Sequence, residues 1–381
     1  MSKNDKVYKI MIAIPTNVIP LVDIPNEFNF NNFQLHFEYV ECLDMVKVIY
    51  RKVGGLEIKQ RLVMNNTIAK ISNMLVYVYC PDELNRIRDK DNLCIPFNTI
   101  KLPTNSCIED VMINDFQLVR KTCYNYGNPT IVYKYMNEIY MLIQFRNHNV
   151  VQMIDNYIYG LSPCLLLERG IPFKTFMTNL VNPLDRDYYE TISLEILRQL
   201  CNVVSFLHRN NVIHSDIRLE HIIIVNNNVK LIDFGSSFYN EHEKNEEISD
   251  CMYNKAPEQI RSTDKWTNKI DIWALGIIGI SMLRKNFNII PSNLASIAQH
   301  ELSQVIRDFI NVFKFERIGK IVEYFLIVNP NKRLLPQTVS RRIERENGIV
   351  NIIILLNNNF NRDEQLTLVY NEPDNFEHHF I

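Results

Sequence analysis

The chain has 381 residues, of which 46% are hydrophobic, and a formal net charge of −2. This length allows two domains, or one two-lobed domain with an extension, and the hydrophobic content is enough for sizeable cores. The near-neutral charge argues against a dedicated nucleic-acid-binding protein, which would normally be basic.

The cysteines and the apolar segments indicate the cellular compartment in which the protein is located. No two of the eight cysteines form a C-x-x-C pair, so the sequence indicates neither a zinc site nor a disulfide framework. Reduced thiols fit a cytosolic or nuclear location. Pro15 and Pro20 interrupt the apolar start of the chain, and the longest apolar stretch is far shorter than the roughly 20 residues of a membrane span. We therefore expect a soluble, intracellular protein without a membrane partner.

The first ninety-odd residues are predicted to form mostly strands. Residues 45–53 and 56–64 alternate between apolar and polar side chains on either side of Gly54-Gly55, which predicts a β-hairpin. Residues 98–121 are again strand-like, whereas residues 136–146 have helical spacing.

The second half is richer in helices. Apolar residues recur at helical intervals over residues 188–207, which predicts a long helix with one buried face. A short hairpin is predicted around the N-N-N turn at residues 226–228, and residues 266–283 predict a helix that is buried nearly all round. Strands first and helices later indicate an α+β chain.

Two aspartates each follow an apolar run, in V-I-H-S-D (residues 212–216) and in V-K-L-I-D-F-G (residues 229–235). Asp216 and Asp233 could simply accept backbone hydrogen bonds at strand ends, which is a common use of loop aspartates. Alternatively, one carboxylate binds a substrate hydroxyl and the other a metal ion. The segments around them favour the second interpretation.

These segments and three others resemble motifs of the eukaryotic-type protein kinase family. They resemble its catalytic loop H-R-D-L-K-x-x-N, its D-F-G and A-P-E, the D-x-W-x-x-G of a buried helix and the N-P-x-K-R near the domain end. The matching segments are residues 212–221, 233–235, 256–258, 271–276 and 329–333, and the resemblance extends over about 98–345. Five matches in the family's order and spacing are specific to it.

The resemblance implies an α+β, two-lobed protein-kinase-like fold, with a small β-rich N-lobe, a large helical C-lobe and an N-terminal β-rich extension. The expected boundaries are 1–95 for the extension, 96–167 for the N-lobe, 168–345 for the C-lobe and 346–381 for a C-terminal tail. The resemblance also implies ATP and Mg²⁺ as cofactors. As the partner it implies a protein substrate or a partner kinase rather than nucleic acid.

The resemblance nominates Glu138 as the helix glutamate that orients the ATP-binding lysine. Lys121 lies 17 residues earlier, as the family's spacing requires. Lys134 is the alternative, but it lies one helical turn before Glu138 and leaves no room for the connection between strand and helix. We prefer Lys121.

The remaining site residues follow from the same resemblance. Asp216 would orient the substrate hydroxyl, Arg218 would supply positive charge near the γ-phosphate, and Asp233 would bind Mg²⁺. His221 stands where the family has the asparagine of the second metal ion. Further candidate contacts with the nucleotide are Leu102, Asn105 and Glu168. The family also implies an ion pair between Glu258 and Arg333.

Several positions depart from the family pattern. The phosphate-binding loop is expected near residues 102–108, which contain no glycine, and His221 is a poor ligand for magnesium. Ser215 replaces the arginine of H-R-D, Arg218 replaces a lysine, and Cys251 replaces a threonine. Two hypotheses therefore stand: a divergent serine/threonine kinase, or a pseudokinase that acts as a scaffold or allosteric partner.

Overall fold

The computed structural model describes most of the chain, in two compact units. One unit is formed by residues 1–144 and 152–169, and the other by residues 145–151 and 170–381. The described residues are 9–14, 17–21, 27–30, 33–40, 45–64, 67–71, 74–79, 95–101, 106–113, 116–123, 127–159, 162–181, 185–226, 228–240, 254–260, 266–287 and 294–350.

The N-terminal unit begins with two antiparallel four-stranded sheets. The first sheet has the strand order β2-β1-β8-β7, with β1 at Lys9–Ile14, β2 at Asn17–Leu21, β7 at Thr67–Ile71 and β8 at Met74–Tyr79. The second has the order β3-β4-β5-β6, with β3 at Glu27–Phe30, β4 at Phe33–Val40, β5 at Met45–Lys52 and β6 at Ile58–Met64.

The predicted hairpin around Gly54-Gly55 is confirmed. Strands β5 and β6 pair in an antiparallel register, and the turn between them places Gly54 at φ 79°, a conformation that glycine adopts without steric cost. The amide of Gly55 donates to the carbonyl of Lys52 at 2.8 Å, which closes the turn.

The two sheets pack against each other through alternating side chains. Ile10 and Ile12 of β1 share a buried cluster with Val46 and Val48 of β5. Met11, which points to the opposite face of β1, is buried as well. The first sheet is therefore covered on both of its faces.

A third, five-stranded antiparallel sheet and one helix complete the N-terminal unit. The sheet has the order β12-β13-β11-β10-β9. Its strands are β9 at Ile95–Lys101, β10 at Ser106–Ile113, β11 at Phe116–Cys123, β12 at Met153–Tyr159 and β13 at Ser162–Glu168, and helix α1 spans Pro129–Gln144. Helix α1 is longer than its apolar spacing predicts. The extension that was predicted for residues 1–95 is β-rich where it is described.

The C-terminal unit is mainly helical. Its helices are α2 at Phe173–Val181, α3 at Arg186–Arg209, α4 at Pro257–Ile260, α5 at Lys269–Arg284, α6 at Gln299–Phe313, α7 at Glu316–Phe325 and α8 at Pro336–Asn347. Its short strands are β14 at Ile171–Pro172, β15 at Val212–Ile213, β16 at Ile222–Val225, β17 at Asn228–Leu231 and β18 at Phe238–Tyr239. Within the described residues, none of the helices is long and apolar enough to cross a membrane.

Helix α5 is buried on all sides, as its uniformly apolar sequence predicts. Gly276 lets it approach the end of α7 closely. A Cβ atom at this position would lie 2.5 Å from Leu326 Cδ2 and 3.0 Å from the Cβ of Phe325. The final glycine of D-x-W-x-x-G is thus required by packing between two helices.

We expect Gly276→Ala to lower the free energy of unfolding by about 1–3 kcal/mol, because the added methyl group overpacks the α5–α7 contact. This loss would outweigh the gain of up to about 1 kcal/mol in helix propensity. Urea unfolding followed by circular dichroism measures the change. Val312→Ala, at a largely exposed position of α6, is the control and should change stability by about 0.5 kcal/mol or less. An unchanged or raised stability of Gly276→Ala would contradict the packing argument.

Candidate active site

An ion pair between a partly buried lysine and a buried glutamate links strand β11 to helix α1. Lys121 Nζ lies 2.7 Å from Glu138 Oε2, and the Glu138 side chain is only 1% exposed. The ammonium group also lies 5.3 Å from the centre of the Tyr135 ring, within the range of a cation–π contact. Lys134 lies within α1 itself, so Lys121 is the strand lysine that pairs with Glu138.

Helix α1 is held in place by the first sheet of the N-terminal unit. The helix packs on strands β1, β2, β7 and β8. Lys70 of β7 places its ammonium group 5.9 Å from the centre of the Tyr140 ring, and burial lowers the pKa of Lys70 to about 8. The hydroxyl of Tyr77 in β8 donates to Asn156 Oδ1 at 2.9 Å, which ties the first sheet to β12. The extension therefore packs on the helix that carries Glu138.

In the C-terminal unit, the buried carboxylate of Asp271 holds the loop that carries Asp216. The backbone amides of His214 and Ser215 donate to Asp271 at 3.0 and 2.9 Å, and His208 Nε2 lies 2.9 Å from the same carboxylate. Asp271 is 1% exposed in the first turn of α5. These partners offset the cost of burying its charge.

Ser215 has an unusual backbone conformation for a residue with a side chain. Its φ of 66° lies in the left-handed region, which costs on the order of 1–3 kcal/mol in a residue other than glycine. Its backbone amide donates to Asp271, and its side-chain hydroxyl donates to the carbonyl of Ser236 at 2.8 Å. The side chain that replaces the arginine of H-R-D thus connects the loop to the segment after D-F-G.

Asp233 follows β17 and is also left-handed, with φ 62°. Its Oδ1 accepts a hydrogen bond of 3.4 Å from the amide of Gly235. The ring of Phe234 packs edge-on against His214, with the ring centres 4.8 Å apart, and His214 Nε2 donates to the carbonyl of Ile232 at 3.2 Å. Burial lowers the pKa of His214 below its ordinary value, which favours the neutral ring in this apolar contact.

His221 lies between Asp216 and Asp233. Its Nδ1 is 3.4 Å from Asp216 Oδ2, and its Nε2 is 3.5 Å from Asp233 Oδ2. Arg218 Nε lies 3.1 Å from His221 Nε2. Asp216, Arg218, His221 and Asp233 are therefore neighbours in one cluster of the C-terminal unit. Across the described residues, however, no three or more His, Cys, Asp or Glu side chains are arranged to hold a metal ion.

Arg333 and Glu258 form the bidentate pair that the motifs imply. Arg333 Nη1 and Nη2 donate to the two oxygens of Glu258 at 2.6 and 2.8 Å, and both side chains are buried. The guanidinium also stacks over Trp273, with its central carbon 5.0 Å from the centre of the Trp273 ring. Three of the matching segments thus meet in the C-terminal unit.

Comparison with known proteins gives the family. The family model of the protein kinase domain matches residues 113–343, which is more than half of the chain. The chain belongs to the protein kinase domain family. The match begins later than the predicted start at about residue 98 and ends close to the predicted end.

Individual relatives share 27–30% sequence identity with this chain over the aligned residues. The Probable serine/threonine-protein kinase KIN1 homolog of Encephalitozoon cuniculi is 30% identical over 141 residues, covering 36% of this chain and 24% of that protein. The serine/threonine-protein kinase ste20 of Aspergillus fumigatus is 28% identical over 196 residues, covering 46% and 23%. The ste20 kinase of Emericella nidulans is 27% identical over 217 residues, covering 52% and 23%. The match spans about a quarter of the length of these relatives.

The remaining candidate residues of the kinase domain are placed as follows. Glu168 ends β13, and its Oε1 accepts a hydrogen bond of 2.5 Å from the amide of Gln152. Leu102, Asn105 and Cys251 lie outside the described residues. Sequence reasoning missed the contribution of Asp271 and His208. The aspartate of D-x-W-x-x-G was recognised as a motif residue, but nothing in the sequence shows that it binds loop amides 56 and 57 positions away.

We expect Asp271→Asn to lower the free energy of unfolding by about 1–3 kcal/mol, because an amide nitrogen would replace one of the two oxygens that accept from the backbone amides of His214 and Ser215. Chemical denaturation of the purified chain measures the loss. Asp308→Asn, at an exposed position of α6, is the matched control and should leave stability nearly unchanged. Equal stabilities of the two variants would show that the carboxylate does not hold the loop.

Proposed function

We propose that this chain is a serine/threonine protein kinase that transfers the γ-phosphate of ATP to hydroxyl groups of protein substrates. The observation that carries the proposal is the 2.7 Å ion pair between Lys121 and the buried Glu138. Burying an ion pair contributes little to stability on balance, so a functional reason for retaining it is favoured. Holding a lysine toward phosphate groups is such a reason.

Each residue has a distinct part in this proposal. Lys121, oriented by Glu138, would bind the α- and β-phosphates. Asp216 would accept a hydrogen bond from the substrate hydroxyl and thereby orient its oxygen toward the phosphate. Arg218 would provide positive charge near the γ-phosphate. Leu102, Asn105 and Glu168 are kept as proposed contacts with the nucleotide.

The carboxylate of Asp233 fits one magnesium ion. Mg²⁺ prefers oxygen ligands and commonly uses only one or two carboxylates, because phosphate oxygens and water complete its shell. The ion, when bound, neutralises charge that develops on the transferring phosphate. The chain's own contribution is to aim the Asp233 carboxylate, and the left-handed conformation of that residue, capped by the Gly235 amide, does this.

The preference for serine and threonine rests on two supports. The residues before A-P-E read C-M-Y-N-K, which resembles the serine/threonine form and lacks the proline and tryptophan of tyrosine kinases. The relatives in fungi are named serine/threonine-protein kinases. We further propose that residues 1–95 are an extension of the kinase domain, and that the protein acts inside the cell.

A pseudokinase is the second candidate function. It is favoured by the glycine-free segment 102–108 and by His221, which stands between Asp216 and Asp233 where the family has an asparagine. In that case the same fold would serve to bind or bias a partner kinase without phosphate transfer.

Transfer of labelled γ-phosphate to a generic basic protein in the presence of Mg²⁺ tests the proposal. We expect transfer by the wild type, and a loss of about 100-fold or more in Asp216→Asn and Asp233→Asn, because each change removes a charge at the reacting groups. Asp308→Asn is the matched control for the loss of a surface carboxylate and should keep full activity.

Three results would count against the proposal. Equal background transfer by all four proteins would exclude the kinase. Thermal stabilisation by ATP without any transfer would favour the pseudokinase. Acid hydrolysis of the product that releases phosphotyrosine, rather than phosphoserine or phosphothreonine, would contradict the proposed specificity.

A further inference from the structure

Hydrogen bonds within the C-terminal unit occupy both ring nitrogens of His221. Nδ1 lies 2.8 Å from the backbone carbonyl oxygen of Asp216. A carbonyl oxygen can only accept, so Nδ1 carries a proton. Nε2 lies 3.1 Å from Arg218 Nε, and a guanidinium group can only donate, so Nε2 is the acceptor. Both ring nitrogens therefore have protein partners, Nδ1 on the backbone of Asp216 and Nε2 on the guanidinium of Arg218.

This arrangement leaves His221 unsuited to the task of the residue that it replaces. In the family, the asparagine of the catalytic loop binds the second magnesium ion through an oxygen atom. The imidazole offers no oxygen, and its Nε2 already accepts a hydrogen bond from Arg218 Nε. His221 is only 6% exposed and lies between the two aspartates, where its ring takes up space that an ion and its water ligands would need.

Arg218 supplies a permanent positive charge in the same cluster. Its Nε lies 4.0 Å from Asp216 Oδ2 and 4.0 Å from Glu220 Oε2. Arginine stays protonated at all physiological pH values, so this charge is independent of the metal concentration. A guanidinium held by the imidazole can offset carboxylate and phosphate charge where the family uses a second cation.

We propose that this kinase domain binds a single divalent ion with its nucleotide, at Asp233, and that the Arg218–His221 pair takes the place of the second ion. The inference rests on the proposed function, since it concerns how the same site neutralises phosphate. It assigns Arg218 and His221 to charge compensation, and it removes His221 from the metal ligands.

Counting bound Mn²⁺, a paramagnetic substitute for Mg²⁺, tests this inference without any turnover. The full chain is titrated with Mn²⁺ in the presence of a saturating, non-hydrolysable ATP analogue, and free Mn²⁺ is followed by electron paramagnetic resonance. We expect one nucleotide-dependent Mn²⁺ per chain in the wild type. His221→Asn restores an amide oxygen and releases Arg218, so this variant should bind two. His300→Asn, at an exposed position, is the matched control and should bind one.

The outcomes separate this inference from the proposed function. Two Mn²⁺ ions in the wild type would overturn the single-ion inference and leave the kinase proposal intact, even if His221→Asn did not fold. One ion in a folded His221→Asn would overturn the assignment to His221. A chain that bound neither the analogue nor Mn²⁺ would overturn both the inference and the proposed function.

Discussion

The buried carboxylate of Asp271 is the interaction on which the geometry of the catalytic loop depends. It accepts the amides of two consecutive residues, His214 and Ser215, and thereby stabilises the left-handed conformation of Ser215. The left-handed backbone of Ser215 sets the direction in which the chain continues into the next residue, Asp216. Because Asp271 belongs to a helix that is buried on every side, the loop is anchored to the interior of the C-terminal unit.

A comparable constraint operates on Glu138 in the N-terminal unit. Helix α1, which carries Glu138, packs against two sheets of that unit: the third sheet and the first sheet. The second contact explains why the first sheet is apolar on both faces: one face meets the second sheet, and the other meets α1. Residues at the far N-terminal end of the sequence thus help to fix the position of the glutamate that pairs with Lys121. Helix α1 is therefore positioned by strands of the same chain, β1, β2, β7 and β8.

Local patterns in the sequence predicted local structure well. The Gly54-Gly55 hairpin and the helix over residues 188–207 follow from side-chain periodicity, because each depends on neighbours in the chain. The start of α1 was missed, since its first two turns bury aromatic residues on several sides and lack a one-sided apolar pattern. Asn128, whose side chain accepts from the amide of Thr130, and Pro129 at the first helical position are the start signals that could have found it. Contacts such as Tyr77–Asn156 join distant segments and leave no local signal.

The departures from the family pattern are connected in the structure. The arginine of H-R-D is absent, and the hydroxyl of Ser215 bonds to the Ser236 carbonyl instead. The asparagine is absent, and its replacement, His221, bonds to the backbone of Asp216 and holds the guanidinium of Arg218. Each substitution therefore satisfies a polar group in the catalytic cluster. Asp216 and Asp233 thus lie next to a histidine and an arginine that have partners of their own, which is the arrangement of charge that any nucleotide at this cluster would meet.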